Sequence, residues 1–403
     1  MRGFQTRLIV IGPLPPPIHG VTISTSLILA NPFLRERFTV EHLDTSDRRS
    51  SLSNVGTWDL TNIVVALRSV FELRQRLRGG PSIVYLPLSQ GIPGFLRDAV
   101  YIWLASLRGC KVAVHLRGGE FDLFYAFQPR LLRWSIRRTL ARVDSMAVLG
   151  ASLTHVFDGL VAAERLVVVP NGTPEITREG HVRDPDSVLF LSNLLARKGI
   201  VEAVRAAELV VAQHPTARFR FIGTWYDEAL AQTLRKRIEP LRDRIEFLPP
   251  VSGEDKRAAL LSASILLFPP VLSEGHPRII LEGLAAGIPV VTTDRGAIAE
   301  TVVDGESGFV LAEPVPEQLA ERILALLNDS DLRARMAEAA RARYEGSYSQ
   351  ERTDRRLADW LEAVDASPAS PASSIAMRCA SARSIGATTQ RMWGARFLHR
   401  RRR

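Results

Sequence analysis

Cysteine is scarce in this chain of 403 residues, which has only Cys110 and Cys379. The two lie far apart and form neither a C-x-x-C pair nor a disulfide framework, so a disulfide-stapled secreted domain is excluded. No group of His and Cys residues has the spacing of a zinc site either. We therefore expect inert thiols, a reducing compartment and no structural metal.

Long hydrophobic runs are also missing. The longest apolar region, residues 99–107 and 112–114, is interrupted by Arg108, Gly109 and Lys111, and is too short for a transmembrane helix. Near the N-terminus, the apolar run 8–11 is too short for a signal peptide and leads into Gly and Pro, as a buried strand would. We therefore predict a cytoplasmic protein, either soluble or peripheral on the inner face of a membrane.

Acidic residues are absent from the last part of the chain. Residues 366–403 hold 8 Lys+Arg and no Asp or Glu, and their Ser, Ala, Pro and Arg content predicts a disordered basic tail. Residues 1–170 hold 20 Lys+Arg against 12 Asp+Glu, whereas residues 171–365 hold 24 against 31. The basic first half favours an anionic partner such as nucleic acid, phospholipid headgroups or a diphosphate-linked acceptor, or it is simply a solvated basic face.

What the sequence does contain is a regular alternation of apolar strand-length runs with helical patterns. Continuous apolar strands separated by helices predict parallel sheets covered on both faces, and the length suits two such α/β domains. Residues 171–186 lack periodic apolar residues and mark the join. We predict domains at 1–175 and 176–345, a last helix within 346–365, and the tail at 366–403. The predicted strands are 8–11, 82–86, 112–116, 145–148, 166–169, 188–191, 219–222, 245–248, 265–268, 290–293 and 308–311.

The most informative segment is 273–291, in which Glu274 and Glu282 are separated by seven residues. Pro277 suits the first turn of a helix, and Gly287 suits its end, so Glu274 lies in the preceding loop and Glu282 on the second turn. Two carboxylates can accept hydrogen bonds from hydroxyl groups, and the N–H groups between them, beginning at Gly275, face any bound anion. This arrangement predicts a site for a sugar nucleotide.

Charge on a departing diphosphate must be stabilised by fixed cations and dipoles or by a metal ion. Lys198 follows a predicted strand and can supply a point charge, while the adjacent Arg197 turns to another side of the chain, so only one of them need face inward. Asp184 and Asp186 match a D-x-D metal signature, but they precede a strand, whereas ligands bind beyond the carboxyl ends of strands. We predict a linker role for them and no metal ligand.

Taken together, these motifs resemble the retaining, nucleotide-sugar-dependent family 4 glycosyltransferases of the GT-B fold (glycosyltransferase group 1). The resemblance rests on E-x7-E followed by L-A-A-G-x-P-V-V, and it covers about residue 7 to about residue 365. It implies two Rossmann-like doubly wound domains that face a common cleft. The first domain would bind the acceptor and the second would bind the nucleotide sugar. The last helix would cross back to the first domain. The further matching segments are 12–20, 115–120, 169–172, 190–199, 221–223 and 304–309.

Residue roles follow from the same resemblance. Glu274 would bind the hydroxyl groups of the donor sugar, and Glu282 would bind the ribose. His115 would also contact the donor sugar, and the suggested contact is the 6-hydroxyl of that sugar. His276 would donate from its ring or offer its backbone N–H. In the commoner pattern of this family, a glycine and an arginine stand where this chain has Ser192 and Asn193. Arg197, Lys198 or a basic group elsewhere must therefore supply the positive charge that the arginine would carry. We thus predict His115, Lys198 and Glu274 as catalytic, and as donor-binding Gly12, Gly20, Asn171, Asn193, Arg197, Gly275, His276, Pro277, Arg278 and Glu282.

The function predicted from these features is a retaining hexosyltransferase that needs neither metal nor cofactor. It would move a hexose from a UDP- or GDP-sugar to a saccharide or lipid-linked acceptor in cell-surface polysaccharide or glycolipid synthesis. The resemblance implies front-face attack, with a donor phosphate oxygen taking the acceptor proton. Two alternatives stay open: a GT-B-like epimerase or hydrolase that acts on the nucleotide sugar, and a basic nucleic-acid-binding protein, although no nucleic-acid-binding module is recognisable.

Overall fold

The computed structural model describes residues 5–16, 19–46, 60–177, 180 and 182–368. The predicted basic tail lies almost wholly outside these residues. In the described part of the chain, twelve strands form two six-stranded sheets in which all neighbouring strands are parallel, in the orders β2-β1-β3-β4-β5-β6 and β12-β11-β10-β7-β8-β9. The prediction of two doubly wound parallel-sheet domains is therefore confirmed.

The first sheet is built from residues 7–168. Its strands are β1 (Arg7–Gly12), β2 (Thr39–Asp44), β3 (Ser82–Leu88), β4 (Lys111–Leu116), β5 (Ser145–Val148) and β6 (Leu166–Val168). Its helices are α1 (Gly20–Ala30), α2 (Pro32–Arg37), α3 (Leu60–Arg76), α4 (Ile92–Leu107), α5 (Phe121–Ala126) and α6 (Arg130–Leu140). The predicted strand bounds match these within two residues, because central parallel strands are buried on both faces and read as apolar runs.

Strand β2 was not predicted. It is an edge strand that pairs only with β1, and only Leu43 within it is fully buried. A strand covered on one side needs no continuous apolar run, so its sequence, Thr-Val-Glu-His-Leu-Asp, gives too weak a signal. The strand at the other edge of the same sheet, β6, was predicted, because its sequence Leu-Val-Val is apolar throughout.

The second sheet is built from residues 187–311. Its strands are β7 (Ser187–Leu191), β8 (Arg218–Ile222), β9 (Ile245–Leu248), β10 (Ile265–Phe268), β11 (Val290–Thr293) and β12 (Gly308–Leu311). The helices after β7 are α7 (Ile200–Gln213), α8 (Glu228–Ile238), α9 (Gly253–Ser262), α10 (Arg278–Ala285), α11 (Ile298–Thr301), α12 (Pro316–Asn328), α13 (Ser330–Arg343) and α14 (Gln350–Ala366).

The last helix, α14, belongs spatially to the first sheet. It packs against α2, β3 and β4, and its buried side chains Leu357, Trp360 and Leu361 join the apolar core on that side. Trp360 Nε1 donates to Ser145 Oγ at 2.8 Å, and Thr6 Oγ1 donates to Asp365 Oδ2 at 2.7 Å. The chain thus returns from the second sheet and fastens the two halves together.

Candidate functional site

A cavity of about 410 Å³ lies between the two sheets, at the carboxyl ends of their strands. The first half contributes the start of α1, with Gly20 and Ser24, and Arg117 after β4. The second half contributes Asn193 after β7, Lys198, and the segment 274–279 that leads into α10. Loops at the carboxyl edge of parallel sheets are where α/β proteins bind ligands. We call this space the interdomain cavity.

Lys198 and Glu274 form an ion pair on the wall of this cavity. Lys198 Nζ lies 2.5 Å from Glu274 Oε1, and the two side chains are 17% and 15% exposed. The ammonium also lies 5.8 Å from the centre of the Phe268 ring. Because both groups are mostly withdrawn from water, their charges act strongly on whatever enters beside them. The structure thus brings together two of the three predicted catalytic residues.

Glu282 is paired in the same way, with a lysine that sequence reasoning missed. Lys256 Nζ, on α9, lies 2.6 Å from Glu282 Oε2 on α10, and both residues line the interdomain cavity. Glu282 lies on the second turn of α10, as predicted. Pro277 caps this helix, which begins at Arg278, one residue later than its proline suggested. The E-x7-E motif therefore presents two lysine-paired carboxylates to one cavity.

Two arginines face the cavity without a carboxylate. Arg278 donates from Nη1 to Gly172 O at 2.8 Å and from Nη2 to Ser24 Oγ at 2.9 Å, while its buried Nε has no partner within the described part of the chain. Arg117 donates to Asn171 Oδ1 and to Tyr85 Oη, both at 2.9 Å. Burial and then the nearby Arg117 lower the pKa of Arg278 to about 10, so Arg278 keeps its positive charge at neutral pH. Cations that repel each other suit an anion between them.

Asn171 and His276 connect the two halves at the back of the cavity. The Asn171 N–H donates to His276 Nδ1 at 3.1 Å, and Asn171 Nδ2 donates to His276 O at 2.8 Å. Nδ1 is therefore an acceptor, which leaves Nε2–H to donate to Thr301 Oγ1 at 2.9 Å. Burial, followed by the charge of Arg278, lowers the pKa of His276 to about 3. The ring is neutral, and both of its nitrogens are engaged in hydrogen bonds. Of the two predicted roles, donation from the ring and donation from the backbone N–H, only the second remains.

His115 is buried beside the interdomain cavity and does not form part of its wall. Its side chain is completely buried, and its ring nitrogens bond to Tyr85 Oη at 3.2 Å and Val169 O at 3.0 Å. The ring packs edge-on against Trp360 of α14, and burial lowers its pKa well below the usual range. His115 does not line the interdomain cavity itself, but it lines a narrow space of about 30 Å³ together with Arg117 and Arg278, which line both. The physical reason is that its strand ends under α14, so Arg117, two residues later, is the side chain that reaches the cavity.

The remaining predicted residues divide into two groups. Gly20, Asn193, Gly275 and Pro277 line the interdomain cavity. Gly12 does not: its carbonyl accepts from His42 Nε2, and a side chain there would collide with Thr25 of α1, 2.7 Å away. Arg197 is exposed and does not line the cavity, so of the two neighbouring cations only Lys198 faces inward.

Glycines allow the two halves to approach closely beside Glu274. A Cβ on Gly119 would lie 2.7 Å from Glu274 O, and one on Gly275 would lie 2.8 Å from Arg117 O. Gly296, at φ +65°, leaves no room for a side chain, because a Cβ there would lie 1.5 Å from Glu274 O. Ser273 Oγ donates to Gly119 O at 3.1 Å across the same junction. The backbone that carries Glu274 is thus held from both sides.

A second cavity, of about 300 Å³, lies within the first domain and adjoins the interdomain cavity. His19, Val21 and Arg117 line both spaces. The rest of this first-domain pocket comes from the loops after β1 and β3 and from the start of α3, including Asn62 and Gln90. His19 precedes α1, and burial lowers its pKa, which favours a neutral ring. Two adjoining pockets suit a reaction between two bound molecules.

The D-x-D pair lies at the opposite edge of the second sheet. Asp184 Oδ1 accepts from the Asp186 N–H at 3.1 Å, just before β7, and Ser264 Oγ donates to Asp184 O at 2.7 Å. Within the described ranges, no group of three or more His, Cys, Asp or Glu side chains has an arrangement that could hold a metal ion. Among the same residues, no helix has the length and apolar character needed to cross a membrane.

Residues 173–343 match the family model described as glycosyl transferases group 1. Among curated proteins, the chain is 27% identical over 176 residues to spore coat protein SA of Bacillus subtilis, covering 42% of this chain and 47% of that protein. It is 30% identical over 177 residues to a GDP-mannose-dependent monoacylated alpha-(1-6)-phosphatidylinositol monomannoside mannosyltransferase of Corynebacterium glutamicum, covering 42% and 45%. The chain thus spans about half the length of the curated relatives it matches.

Solved structures extend the likeness to both domains. Anabaena HepE in complex with UDP-glucose superposes with a TM-score of 0.69 at 17% identity, covering 89% of this chain and 100% of that one. At this identity the likeness shows the fold alone, which is the predicted GT-B architecture of two Rossmann-like domains around a cleft.

Proposed function

We propose that the protein is a retaining hexosyltransferase, because residues 173–343 match the family model of the group 1 glycosyl transferases in a chain of GT-B fold. It takes the sugar from a UDP- or GDP-sugar in the interdomain cavity and passes it to an acceptor held by the first domain. HepE, which has the same fold, was solved with UDP and glucose and with UDP-glucose, and this supports a nucleotide-sugar donor here.

One observation carries the proposal: cations and hydroxyl-accepting carboxylates meet on the wall of a single cavity. Lys198, Arg117 and Arg278 supply positive charge, and Glu274 and Glu282 supply acceptors on either side. A nucleotide sugar presents the complementary set, since a diphosphate lies between the hydroxyl groups of the sugar and of the ribose. We assign Glu274 to the sugar and Glu282 to the ribose, as the resemblance implies.

The charge that Asn193 cannot provide is supplied by Arg278. Arg197 is exposed and does not line the cavity, so it is not the replacement. Arg278 lines the cavity at the first position of α10, where the helix dipole also favours an anion. Its guanidinium is buried, and its Nε–H has no hydrogen-bond partner among the described residues. Together with Lys198, it would stabilise the departing diphosphate without a divalent ion.

In this proposal, the anomeric configuration of the sugar is retained because the acceptor attacks from the front face. The acceptor approaches from the first-domain pocket, through the boundary lined by His19 and Arg117, and a donor phosphate oxygen takes its proton. The protein's part is to hold the diphosphate still and to stabilise its growing charge. Glu274 is already bound to Lys198, so it orients the sugar and does not form a covalent intermediate.

The acceptor we propose is a saccharide or a lipid-linked saccharide of cell-surface polysaccharide or glycolipid synthesis. The first-domain pocket supports this choice, because its volume of about 300 Å³ admits a sugar ring and it opens into the donor space. The named activity of the Corynebacterium glutamicum relative is transfer of mannose to a phosphatidylinositol mannoside, which supports a glycolipid acceptor.

The test is nucleotide release from a panel of UDP- and GDP-sugars, with alkyl glycosides and polyprenyl-linked saccharides as acceptors, with and without EDTA. A thermal-shift screen first selects the donor, because a nucleotide that binds the native state raises Tm. We expect acceptor-dependent release that EDTA leaves unchanged and an α-linked product from an α-linked donor. Release without acceptor would indicate the hydrolase or epimerase alternative, and no release with any donor would refute glycosyl transfer.

A further inference from the structure

Large apolar side chains are exposed mainly on one part of the first domain. Of fifteen such side chains exposed among the described residues, twelve lie between Ile63 and Trp134. The other three, Val182, Tyr226 and Leu272, are scattered over the second half. Single exposed apolar residues are ordinary, but a concentration on one surface marks a place where the protein meets an apolar partner.

These twelve side chains belong to a single helical layer. The strand order places β3, β4 and β5 successively on one side of β1, so the right-handed crossovers put α3, α4 and α5–α6 on the same face of the sheet. α3 contacts α4, and α4 contacts α6. Inward-facing residues such as Leu73, Phe95 and Ile136 fill the core. We name the outward side the outer apolar face: Ile63, Val64, Leu67, Phe71, Ile92, Leu96, Val100, Leu107, Leu123, Phe127, Leu131 and Trp134.

Exposure is greatest at the corner between α5 and α6. Phe127 is 83% exposed, Leu131 78% and Trp134 57%, and Leu123 on the preceding helix is 50% exposed. Leu123 and Phe127 stand four positions apart at the end of α5, and Leu131 and Trp134 three positions apart on α6, so each pair shares one side of its helix. We call these four side chains the ridge. An aromatic and aliphatic ridge of this kind suits insertion into a soft apolar medium better than packing onto a rigid surface.

The charges around the ridge are mostly positive. Residues 60–142 contain 13 Lys+Arg and 4 Asp+Glu. Two of the four acids are already neutralised, because Asp98 pairs with Arg97 and Glu72 pairs with Arg76. α6 itself carries no acid, and its arginines stand beside the apolar residues: the Arg138 guanidinium lies 5.4 Å from the centre of the Trp134 ring. A partner for this surface must be anionic at its boundary and apolar behind it.

We propose that the outer apolar face docks on an anionic phospholipid surface. Phe127, Leu131 and Trp134 of the ridge enter the boundary between headgroups and acyl chains, and the arginines of α6 contact lipid phosphates. Interfacial binding of this kind combines apolar insertion with attraction to anionic headgroups. It needs no membrane-spanning segment. Tryptophan and arginine are the side chains that suit an interface with one wet side and one apolar side.

The docking surface leads directly to the reaction site. Asn62 of α3, Gln90 immediately before α4 and Gly118 shortly before α5 all line the first-domain pocket, so the helices of the outer apolar face start at its rim. A saccharide whose lipid tail stays in the bilayer could then reach the pocket without leaving the membrane. This step rests on the proposed function, whereas the docking surface itself does not.

The test is cosedimentation of the full-length protein with phosphatidylcholine vesicles, with and without phosphatidylglycerol. We expect binding to the anionic vesicles that weakens as salt is raised. The variant Phe127→Ser/Leu131→Ser should bind about tenfold or more weakly, and Arg130→Glu/Arg138→Glu should lose the preference for phosphatidylglycerol. The matched control, Val182→Ser/Tyr226→Ser, removes exposed apolar side chains from the second half and should bind like the wild type. All variants keep the basic tail.

Three results would overturn the inference. The wild type fails to bind anionic vesicles, the ridge variant binds as well as the wild type, or light scattering shows a dimer that the ridge variant dissociates, meaning that a second copy covers the face. Measuring donor binding separates a failure of the docking surface from a failure of the proposed function. The ridge variant should show the wild-type rise in Tm with the donor, and vesicle binding without any sugar-nucleotide binding would refute glycosyl transfer while supporting the docking surface.

Discussion

The ammonium of Lys198 and the carboxylate of Glu274 are joined by a 2.5 Å ion pair, although they are separated by 75 residues of chain. Lys198 lies after β7 and Glu274 lies after β10, so the pair joins two loops of the second sheet, and both side chains are mostly buried. Since a diphosphate and a sugar hydroxyl would compete for these same two groups, the pair couples recognition of the leaving group to recognition of the sugar. The predictions below separate these contributions.

Lys198→Ala should lower turnover by about a hundredfold to a thousandfold, because it removes the cation nearest to the predicted leaving group. The neighbouring Arg197 provides a matched control, since it has the same charge but is exposed and lies outside the cavity lining. Arg197→Ala should change turnover by less than about threefold. Steady-state kinetics with the donor found in the screen measures both. Equal losses in the two variants would show that cation placement is not what matters.

Glu274→Gln should separate nucleotide binding from sugar transfer. The variant leaves the Lys198 ammonium without a competing carboxylate, so the nucleoside diphosphate should bind at least as tightly as to the wild type. Transfer should fall by about a hundredfold, because the acceptor of the sugar's hydrogen bonds has lost its charge. Calorimetry with the nucleotide and turnover with the nucleotide sugar give the two values. Weaker nucleotide binding by the variant would contradict the assignment of Glu274 to the sugar.

A suitable control for this substitution is Glu313→Gln. Glu313 pairs with Arg295 at 2.5 Å, but its side chain is 67% exposed and lies outside the interdomain cavity. Neither nucleotide affinity nor transfer should change in this variant, because an exposed ion pair contributes little.

Asp354→Asn should stabilise the protein at neutral and higher pH. Burial raises the pKa of Asp354 from 3.8 to about 6, so the folded state favours the neutral form. Its stabilising contribution is therefore present below pH 3.8 and is lost as the pH rises through about 6. The amide keeps an acceptor for Gln350 Nε2, which lies 2.7 Å from Asp354 Oδ1. We expect a gain of about 1–2 kcal/mol in the free energy of unfolding at about pH 8, which disappears in acid.

Denaturant titrations across this pH range check the prediction, with Asp359→Asn as the control. Asp359 lies on the same helix, is 58% exposed and pairs with Arg37, so its substitution should change stability by less than about 0.5 kcal/mol. A gain for Asp354→Asn that does not depend on pH would rule out the buried carboxylate as its source.

Gly296→Ala should impair the site more than its backbone conformation alone explains. Gly296 has φ +65°, and an added Cβ would lie 1.5 Å from the carbonyl oxygen of Glu274. Gly305 has φ +75° with no atom within 4 Å of such a Cβ, so Gly305→Ala measures the conformational cost, about 1 kcal/mol. Gly296→Ala should cost several kcal/mol and also reduce transfer. Thermal denaturation and turnover of both variants, compared side by side, test this; equal effects would contradict it.

Much of the fold could be predicted because its information is local. Strands β5, β10 and β11 are almost wholly buried and read as apolar runs, so they were predicted with the bounds that the structure has. The edge strands β9 and β12 were also predicted with their observed bounds, because three of the four residues in each are apolar. β2, also at an edge, was missed because Glu41, His42 and Asp44 interrupt its apolar residues. The E-x7-E motif also contained its own geometry, since a proline and a glycine fix where α10 begins and ends.

The site was only partly predictable, because its contacts join distant segments. Nothing local to His115 shows that α14 will cover it. Lys256 on α9 has no motif of its own, and it joins the site only because α9 and α10 lie side by side. The signal that could have found Arg117 was its position directly after a buried strand, at the edge where ligands bind.

The sequence by itself therefore determined two parallel-sheet domains, the loop and helix that carry Glu274 and Glu282, and a lysine positioned to meet them. Tertiary structure alone decided which of two adjacent cations faces inward, that His115 is buried while Arg117 is presented, and that twelve apolar side chains share one outer face. The physical reason is that periodicity and capping act over a few neighbouring residues. Exposure and pairing instead depend on which distant elements the completed sheets bring together.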